Sequence, residues 1–507
     1  MLKVEKELEL QNFYSILFKN DKINLSEKVS NRVQNSFKFL KEFSENKIIY
    51  GVNTGFGPMA QYKIDDKDRK QLQYNLIRSH ASGTGKALSP TCVKSAMIAR
   101  LNTLCLGNSG VHPSVVNLMV ELINRNITPL IYSHGGVGAS GDLVQLAHLA
   151  LVLIGEGEVF YKGQLMPTSD VFKKENLSPI KVELREGIAL MNGTSVMTGI
   201  GIVNTIYTQK LLNWIVSCSV AINEIVRAYD DHLSHELNRT KKHKGQQAIA
   251  KYMREALSDS KLIRNREEHL YTSDNKDLVF KEKVQEYYSL RCVPQILGPV
   301  LDTLKGVEKV LIEEVNSAND NPIVDVENKH VYHGGNFHGD YVALEMDKLK
   351  IVVTKMTMLG ERQLNYLLNH RLNDILPPFV NLGKLGLNFG VQGIQFTATS
   401  TTAENQTLSN PMYIHSIPNN NDNQDIVSMG TNAALMTKKV IENGFEVIAI
   451  ELITIIQAIE YLGCHDKLST KTSMLYSDIR KIVPIFKEDV IMYPYINKVK
   501  EYIMKNE

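Results

Sequence analysis

From about residue 200 onward, apolar residues return every three or four positions. Val342 to Leu368, Lys438 to Leu462 and Gly298 to Val315 each place Val, Ile, Leu and Met at that spacing, which predicts long helices with one buried stripe. Punctuation agrees with this: Asn319-Asp-Asn-Pro322 is expected to end one helix, and Leu376-Pro-Pro378 to follow another. Gly187 to Gln209 carries no formal charge, but Asn192, Thr194, Ser195, Thr198, Asn204 and Thr208 interrupt it, so it predicts a buried helix rather than a membrane span. Upstream, Ile48-Ile49 looks strand-like, Ile127 to Tyr132 is a short apolar run, and a helix is expected from Leu143. Asn419 to Gln424 is a polar patch and predicts a loop. The architecture expected is mainly α, a large helical bundle.

Composition narrows the function classes. The chain has 507 residues, 43% hydrophobic and 22% charged, with 57 basic against 55 acidic residues. That balance points to no nucleic-acid or membrane partner. Met1-Leu-Lys-Val-Glu-Lys-Glu7 is charged where a signal peptide needs an apolar core, so a cytoplasmic protein is expected. The five cysteines, Cys92, Cys105, Cys218, Cys292 and Cys464, are scattered and form no C-x-x-C pair; they are expected to be reduced and mostly buried. The stretch Glu236 to Asp277, with Arg239, Lys241, Lys242, His243 and Lys244 together, reads as a solvated face. Ser82-Gly-Thr-Gly-Lys86 fails as a phosphate loop, because His80 stands at the first glycine position and Ala87 replaces the Ser or Thr. Fourteen histidines show no metal-binding spacing, so no metal is expected.

The chemistry concentrates in His134-Gly-Gly-Val-Gly-Ala-Ser-Gly-Asp142, where four glycines surround a serine. Glycine serves where a backbone turns sharply or is approached closely. Three readings are open. Gly136, Gly138 and Gly141 satisfy a dinucleotide-loop pattern, as in a nucleotide-binding oxidoreductase, but that fold needs strands alternating with helices. The run is also compatible with a tight turn feeding a core helix. Thirdly, a hard bend lets the Gly141 nitrogen attack the Ala139 carbonyl; loss of water there and from Ser140 leaves a five-membered ring with an exocyclic methylene.

Gly138-Ala-Ser-Gly-Asp-Leu143 resembles the methylidene-imidazolone (MIO) loop of the aromatic amino acid and histidine ammonia-lyases. Tyr50-Gly-Val-Asn-Thr-Gly-Phe-Gly57, Ser79-His80, Met191-Asn-Gly-Thr194, Tyr287-Tyr-Ser-Leu-Arg-Cys292, Asn319-Asp-Asn-Pro322, Gly334-Gly-Asn-Phe-His338 and Asn423-Gln-Asp425 are similar to family motifs in the family's order. They cover nearly the whole chain, which within the family most resembles the flavobacterial tyrosine-specific members. The resemblance implies an ammonia-lyase and fumarase-like fold of long antiparallel helices. A smaller mixed N-terminal domain, residues 1–200, would carry the MIO loop, and the helical bundle would fill 201–507. It also implies a homotetramer with sites shared between subunits, an amino acid substrate and no external cofactor.

By that resemblance Ala139, Ser140 and Gly141 form the electrophile that traps the substrate amine. Tyr50 matches the residue that removes the β-proton, a poor base alone because a free phenol titrates near ~10. Arg291 matches the carboxylate partner, a task suited to a planar guanidinium. Tyr288, three residues earlier, shares its face if the segment is helical and is implied to assist amine release. Asn192, Gln285 and Asn321 match residues that orient ring and substrate, and Phe337 matches a ring-packing aromatic. Gly57 belongs to the Tyr50 motif, and Tyr413, His415 and Asn420 are further residues expected at the pocket. Without the resemblance, each of these also reads as an ordinary core or backbone-capping residue.

Two positions bear on the substrate and point in opposite directions. Ser79-His80 resembles the histidine enzymes. Gln424 stands where those enzymes keep a glutamate able to pair with an imidazole, a charge that an amide cannot supply. A lost charged partner in a buried pocket costs ~2 kcal/mol, whereas a histidine can bond a phenol hydroxyl. The expected reaction is therefore L-tyrosine to trans-p-coumarate and ammonia, with phenylalanine to cinnamate as a side activity. The alternatives are a histidine ammonia-lyase giving urocanate, an aminomutase that returns ammonia to the β-carbon, and a non-catalytic helical binding protein.

Overall fold

The helix Pro90–Cys105 has no polar face, because every residue from Cys92 to Cys105 is buried; such a helix is enclosed by others. Ser89 caps it by accepting from the Cys92 N–H, and Pro90 takes a first-turn position where no N–H is needed. The long polar side chains inside it reach partners. Lys94 donates to Ile16 O and Asn126 Oδ1, Asn102 to Val315 O, and Arg100 to the carbonyls of Ala189 and Asn192. The computed structural model describes every residue except 1, 5, 6, 272–277, 281 and 507, with the backbone alone at 2–4.

The described residues fall into two units. The first comprises 1–206, 307–347 and 411–438. In it the helices Leu10–Phe18, Glu27–Phe43 and Pro113–Asn124 pack on Pro90–Cys105, while Leu143–Leu153 packs on Arg69–His80 and Glu186–Met191. A Cβ at Gly199 would stand 2.4 Å from Ala96 N, so only glycine lets the helix Ser195–Ile225 cross so closely. The sheets are small. Leu2–Val4 pairs in parallel with Ile23–Leu25, Thr84–Ala87 pairs antiparallel with Tyr132–His134, and Ile323–Asp325 pairs antiparallel with His330–Tyr332. Thr128–Pro129, Glu158–Tyr161 and Gln164–Pro167 form an antiparallel triplet.

The second unit comprises 207–306, 348–410 and 439–507. It is built from helices, including Lys244–Ala256, Gln392–Leu408, Thr470–Arg480 and Tyr493–Lys505. Two of its glycines sit where a side chain would crowd a neighbouring helix. A Cβ at Gly360 would meet Ile448 at 2.9 Å, and one at Gly444 would meet Leu211 at 2.7 Å. The basic residues Arg239, Lys241, Lys242, His243 and Lys244 are all exposed, as a solvated face requires. Residues 272–277 of that stretch, like 1, 5 and 6 of the N-terminal segment, lie outside the described residues.

The mainly helical expectation holds, and the departures have local causes. Asp340–Leu368 and Gly430–Leu462 begin earlier than the apolar pattern, and Val293–Val315 carries Pro299 in its second turn. The neutral run expected as one helix is two, Glu186–Met191 and Ser195–Ile225. Asn192 is extended at φ −88°, ψ 109°, and Gly193 at φ +150° leaves no space for a Cβ against Arg100 and Asn319. The helix ahead of Pro322 stops at Val315, where Asn316 turns to bond both backbone groups of Leu8. Ile48-Ile49 is not a strand: Ile49 N–H donates to Asn53 Oδ1 in a turn, and Ile48 is exposed. The five cysteines form no disulfide with one another, and four are buried. Among the described residues no helix is long and apolar enough to cross a membrane, and no group of side chains would hold a metal ion.

Candidate active site

The glycine-rich loop is clamped by close backbone contacts on both sides of Ser140. Gly138 at φ +79° has Ser428 Oγ where a Cβ would lie, and its carbonyl accepts from Ser428 Oγ at 3.1 Å and Gly339 N–H at 3.0 Å. Gly141 at φ +69° sits directly on Gly193, whose carbonyl oxygen would be 2.0 Å from a Cβ. That carbonyl accepts from Asp142 N–H at 2.8 Å. Side chains at these two glycines are excluded on both conformation and space. Ala139 is buried.

Asp142 anchors the loop to the long helix behind it. Its carboxylate accepts from Val196 N–H at 2.8 Å and Met197 N–H at 2.9 Å, in the first turn of Ser195–Ile225, and from the Thr431 hydroxyl. Burial outweighs these donors and raises its pKa to about 6.

Ser140 faces a cavity of about 620 Å³. Its carbonyl accepts from Asn192 Nδ2 at 3.1 Å and its hydroxyl oxygen accepts from Gln424 Nε2 at 2.9 Å. Tyr50, Gly57, Ser79, His80, Asn192, Asn321, Phe337, Asn420 and Gln424 line the same cavity, whereas Tyr413 and His415 are not among its lining residues. All of these belong to the first unit.

Each wall has its own support. Tyr50 Oη accepts from Gly57 N–H at 3.1 Å, and its ring meets Phe56 edge-on at 6.0 Å. Gln73 ties this segment to the body, donating to Gly51 O at 3.0 Å and accepting from Ile188 N–H at 3.2 Å. Ser79 and His80 end the helix Arg69–His80, where the Leu76 carbonyl lies 3.0 Å from His80 Nδ1. Ser79 Oγ lies at the same distance from Nδ1. Asn420 and Gln424 sit in the polar loop expected there. Asn420, Asn421 and Asp422 all take positive φ, and Asn419 pairs with Gln424 across the turn, a conformation that Asn and Asp tolerate best.

Asn321 accepts from Gly334 N–H at 2.8 Å. A fully buried ion pair stands behind it, Arg185 to Asp320 at 3.1 Å. Both terminal nitrogens of Arg185 also donate to carbonyls, those of Ser109, Asn321 and Pro322, which offsets part of the cost of burying the pair. Burial still raises the Asp320 pKa, against the pull of Arg185 and Arg100. Arg100 plays a matching part behind Asn192: it holds the Asn192 carbonyl at 2.9 Å and Asn319 Oδ1 at 3.3 Å. Burial lowers its pKa to about 10. Glu314 completes this layer, bonding the Thr194 hydroxyl and Asn319 Nδ2, and burial raises its pKa.

Gln285, Tyr288 and Arg291 are not among the residues that line the cavity of Ser140. They line a separate cavity of about 510 Å³ in the second unit. The segment Tyr288–Arg291 is a helix, and the Arg291 guanidinium covers the Tyr288 ring at 4.6 Å from its centre, as their three-residue spacing predicts. Glu286 O also accepts from Arg291.

Sequence reading missed Arg100, Arg185, Asp142 and Glu314. A charged residue inside an otherwise apolar segment was the available signal for Arg100, since buried charge persists only where it is paired.

The chain is similar to known proteins along nearly its whole length. A family model described as aromatic amino acid lyase matches residues 8–481. A tyrosine 2,3-aminomutase of Myxococcus sp. (strain Mx-B0) is 39% identical over 465 residues, covering 90% of this chain and 88% of that one. A histidine ammonia-lyase of Bacillus cytotoxicus is 39% identical over 463 residues, covering 91% and 88%. The solved structure of Pantoea agglomerans phenylalanine aminomutase superposes with a TM-score of 0.95 at 34% identity, covering 99% and 98%.

Proposed function

The chain belongs to the aromatic amino acid lyase family and is a carbon–nitrogen lyase; on that premise we propose that it converts L-tyrosine to trans-p-coumarate and ammonia in the cytoplasm. The observation carrying the choice of substrate is the pairing of Gln424 with Ser140 at 2.9 Å in the cavity that His80 lines. An uncharged amide therefore stands beside the serine, where an imidazole substrate would call for a carboxylate. His80, in the same cavity, can bond a phenol hydroxyl.

Ala139, Ser140 and Gly141 fit the ring that the family builds from such a triplet, because Gly141 has no room for a side chain and Ala139 is small and buried. Such a ring supplies an electrophilic carbon for the substrate amine. The chain's other residues supply the rest. Asn192, held by Arg100, and Gln424 orient Ser140. Tyr50 Oη, fixed by Gly57 N–H, takes the β-proton. Asn321 and Arg291 hold the carboxylate, and Tyr288 assists amine release. Since Gln285, Tyr288 and Arg291 line a different cavity, this reading requires another copy of the chain to bring them to Ser140, and we assign a homotetramer.

Two other readings each have a specific basis. Ser79-His80 in the cavity favours histidine, and the similarity to aminomutases favours return of the amine to the β-carbon. A substrate panel with no cofactor added, following p-coumarate, cinnamate, urocanate and β-amino acids, tests all three. Dominant p-coumarate supports the proposal, while dominant urocanate or β-tyrosine replaces it.

A further inference from the structure

The selectivity pair Ser79-His80 stands at a helix end, and what holds the chain just beyond it lies on a different helix. Gly83 N–H donates to His148 Nε2 at 3.1 Å. His148 belongs to Leu143–Leu153, whose first residue, Leu143, also lines the cavity. One helix therefore touches the cavity directly and grips the segment that follows His80. The approach is close: a Cβ at Gly83 would lie 3.0 Å from His148 Nε2, 3.2 Å from His134 O and 3.4 Å from Tyr132 Cβ. The His148 ring is itself fixed edge-on against Tyr132, centres 5.5 Å apart. Tyr132 in turn starts the strand Tyr132–His134, which pairs with Thr84–Ala87 and runs straight into the glycine loop.

We infer that His148 is a specificity-positioning residue: by accepting from Gly83 N–H it sets where Ser79 and His80 stand relative to the loop that carries Ser140. It acts through backbone and touches no substrate. The task needs a neutral ring with a bare Nε2, and burial lowers its pKa in the direction that keeps it so. The inference rests on the proposed function, because it concerns the pocket that discriminates tyrosine from histidine.

Its test uses the purified full-length chain and three variants. His148→Phe keeps an aromatic ring but no acceptor. His148→Gln restores an acceptor. Gly83→Ala disturbs the same contact from the other side, at a residue whose backbone φ any amino acid adopts. kcat and KM are measured for tyrosine and histidine, with intact mass reporting the two waters lost on ring formation. The expected result is a shift of about tenfold in the tyrosine-to-histidine kcat/KM ratio for His148→Phe and Gly83→Ala, mainly in KM, with the mass deficit retained and His148→Gln near the parent. If His148→Phe does not fold, Gly83→Ala decides alone. An active parent with unmoved ratios in the variants overturns the inference and leaves the proposed function standing. A parent that makes no product from either amino acid overturns the proposed function, and the inference with it.

Discussion

Gln424 Nε2 donates to Ser140 Oγ at 2.9 Å although 284 residues separate them in the chain. The residue read as a selector of substrate thus touches the residue read as the source of the electrophile. Replacing it by glutamate keeps the shape and exchanges the amide donor for a charged acceptor at the same place. Gln424→Glu is expected to raise histidine turnover relative to tyrosine by about tenfold or more, ~1.4 kcal/mol, since a carboxylate can pair with an imidazole. Competition between the two substrates measures this directly, and an unchanged ratio would show that Ser79-His80 sets the pocket.

Ser140→Ala should fold, because alanine fits beside Ala139, yet lose at least several orders of magnitude in rate. Its intact mass should equal that of the plain sequence. Ordinary turnover in this variant would rule out a serine-derived electrophile.

Tyr50→Phe keeps the ring against Phe56 and removes only the oxygen that Gly57 N–H reaches. Ring formation should survive, seen as an unaltered mass deficit, while kcat falls by more than about a hundredfold. Activity within about tenfold of the parent would assign the base elsewhere.

Arg291→Lys loses the paired hydrogen bonds of a planar guanidinium and its stacking on Tyr288. KM for tyrosine should rise about tenfold or more with kcat less affected. A specificity constant equal to the parent's would remove Arg291 from the carboxylate site.

Asp142 gives a pH prediction whose sign follows from its raised value, about 6 against an ordinary 3.8. Between those limits the folded chain binds more protons than the unfolded one, so the contribution to stability is full below the lower value. It is lost as pH rises through the upper one, and its size is about 3 kcal/mol. Asp142→Asn should therefore match the parent least at neutral pH, where the parent bears the charged group, and should show a flatter melting midpoint from about pH 4 to 6. Parallel midpoint curves for the two proteins would place the Asp142 titration outside this window.

Much of the fold was legible because long helices write their buried stripe into the sequence, as Asp340–Leu368 and Gly430–Leu462 do. Their ends were less so. The break at Asn192-Gly193 depends on Arg100 and Asn319 arriving from elsewhere in the chain, and no local pattern announces that. At the site, the sequence pointed to ten of the cavity's lining residues, from Tyr50 to Gln424, nine of them through motif resemblance. It did not separate Gln285, Tyr288 and Arg291 from them, since a motif fixes residue identity and not which cavity the folded chain assigns. The buried charges behind the site were missed for the same reason: Arg185 and Asp320 are 135 residues apart and explain each other only once folded.

The first unit is assembled from 1–206, 307–347 and 411–438, and this imposes an order on synthesis. The glycine loop leaves the ribosome long before Asn321, Phe337 and Gln424 exist to surround it. Whatever self-processing the loop undergoes in its clamped shape must wait until residues Ser428 to Thr431 have emerged, because these grip Gly138 and Asp142. If the loop matures as proposed, the contacts that clamp it are complete only once Thr431 has been made, and a polypeptide interrupted before that point would carry the loop without them.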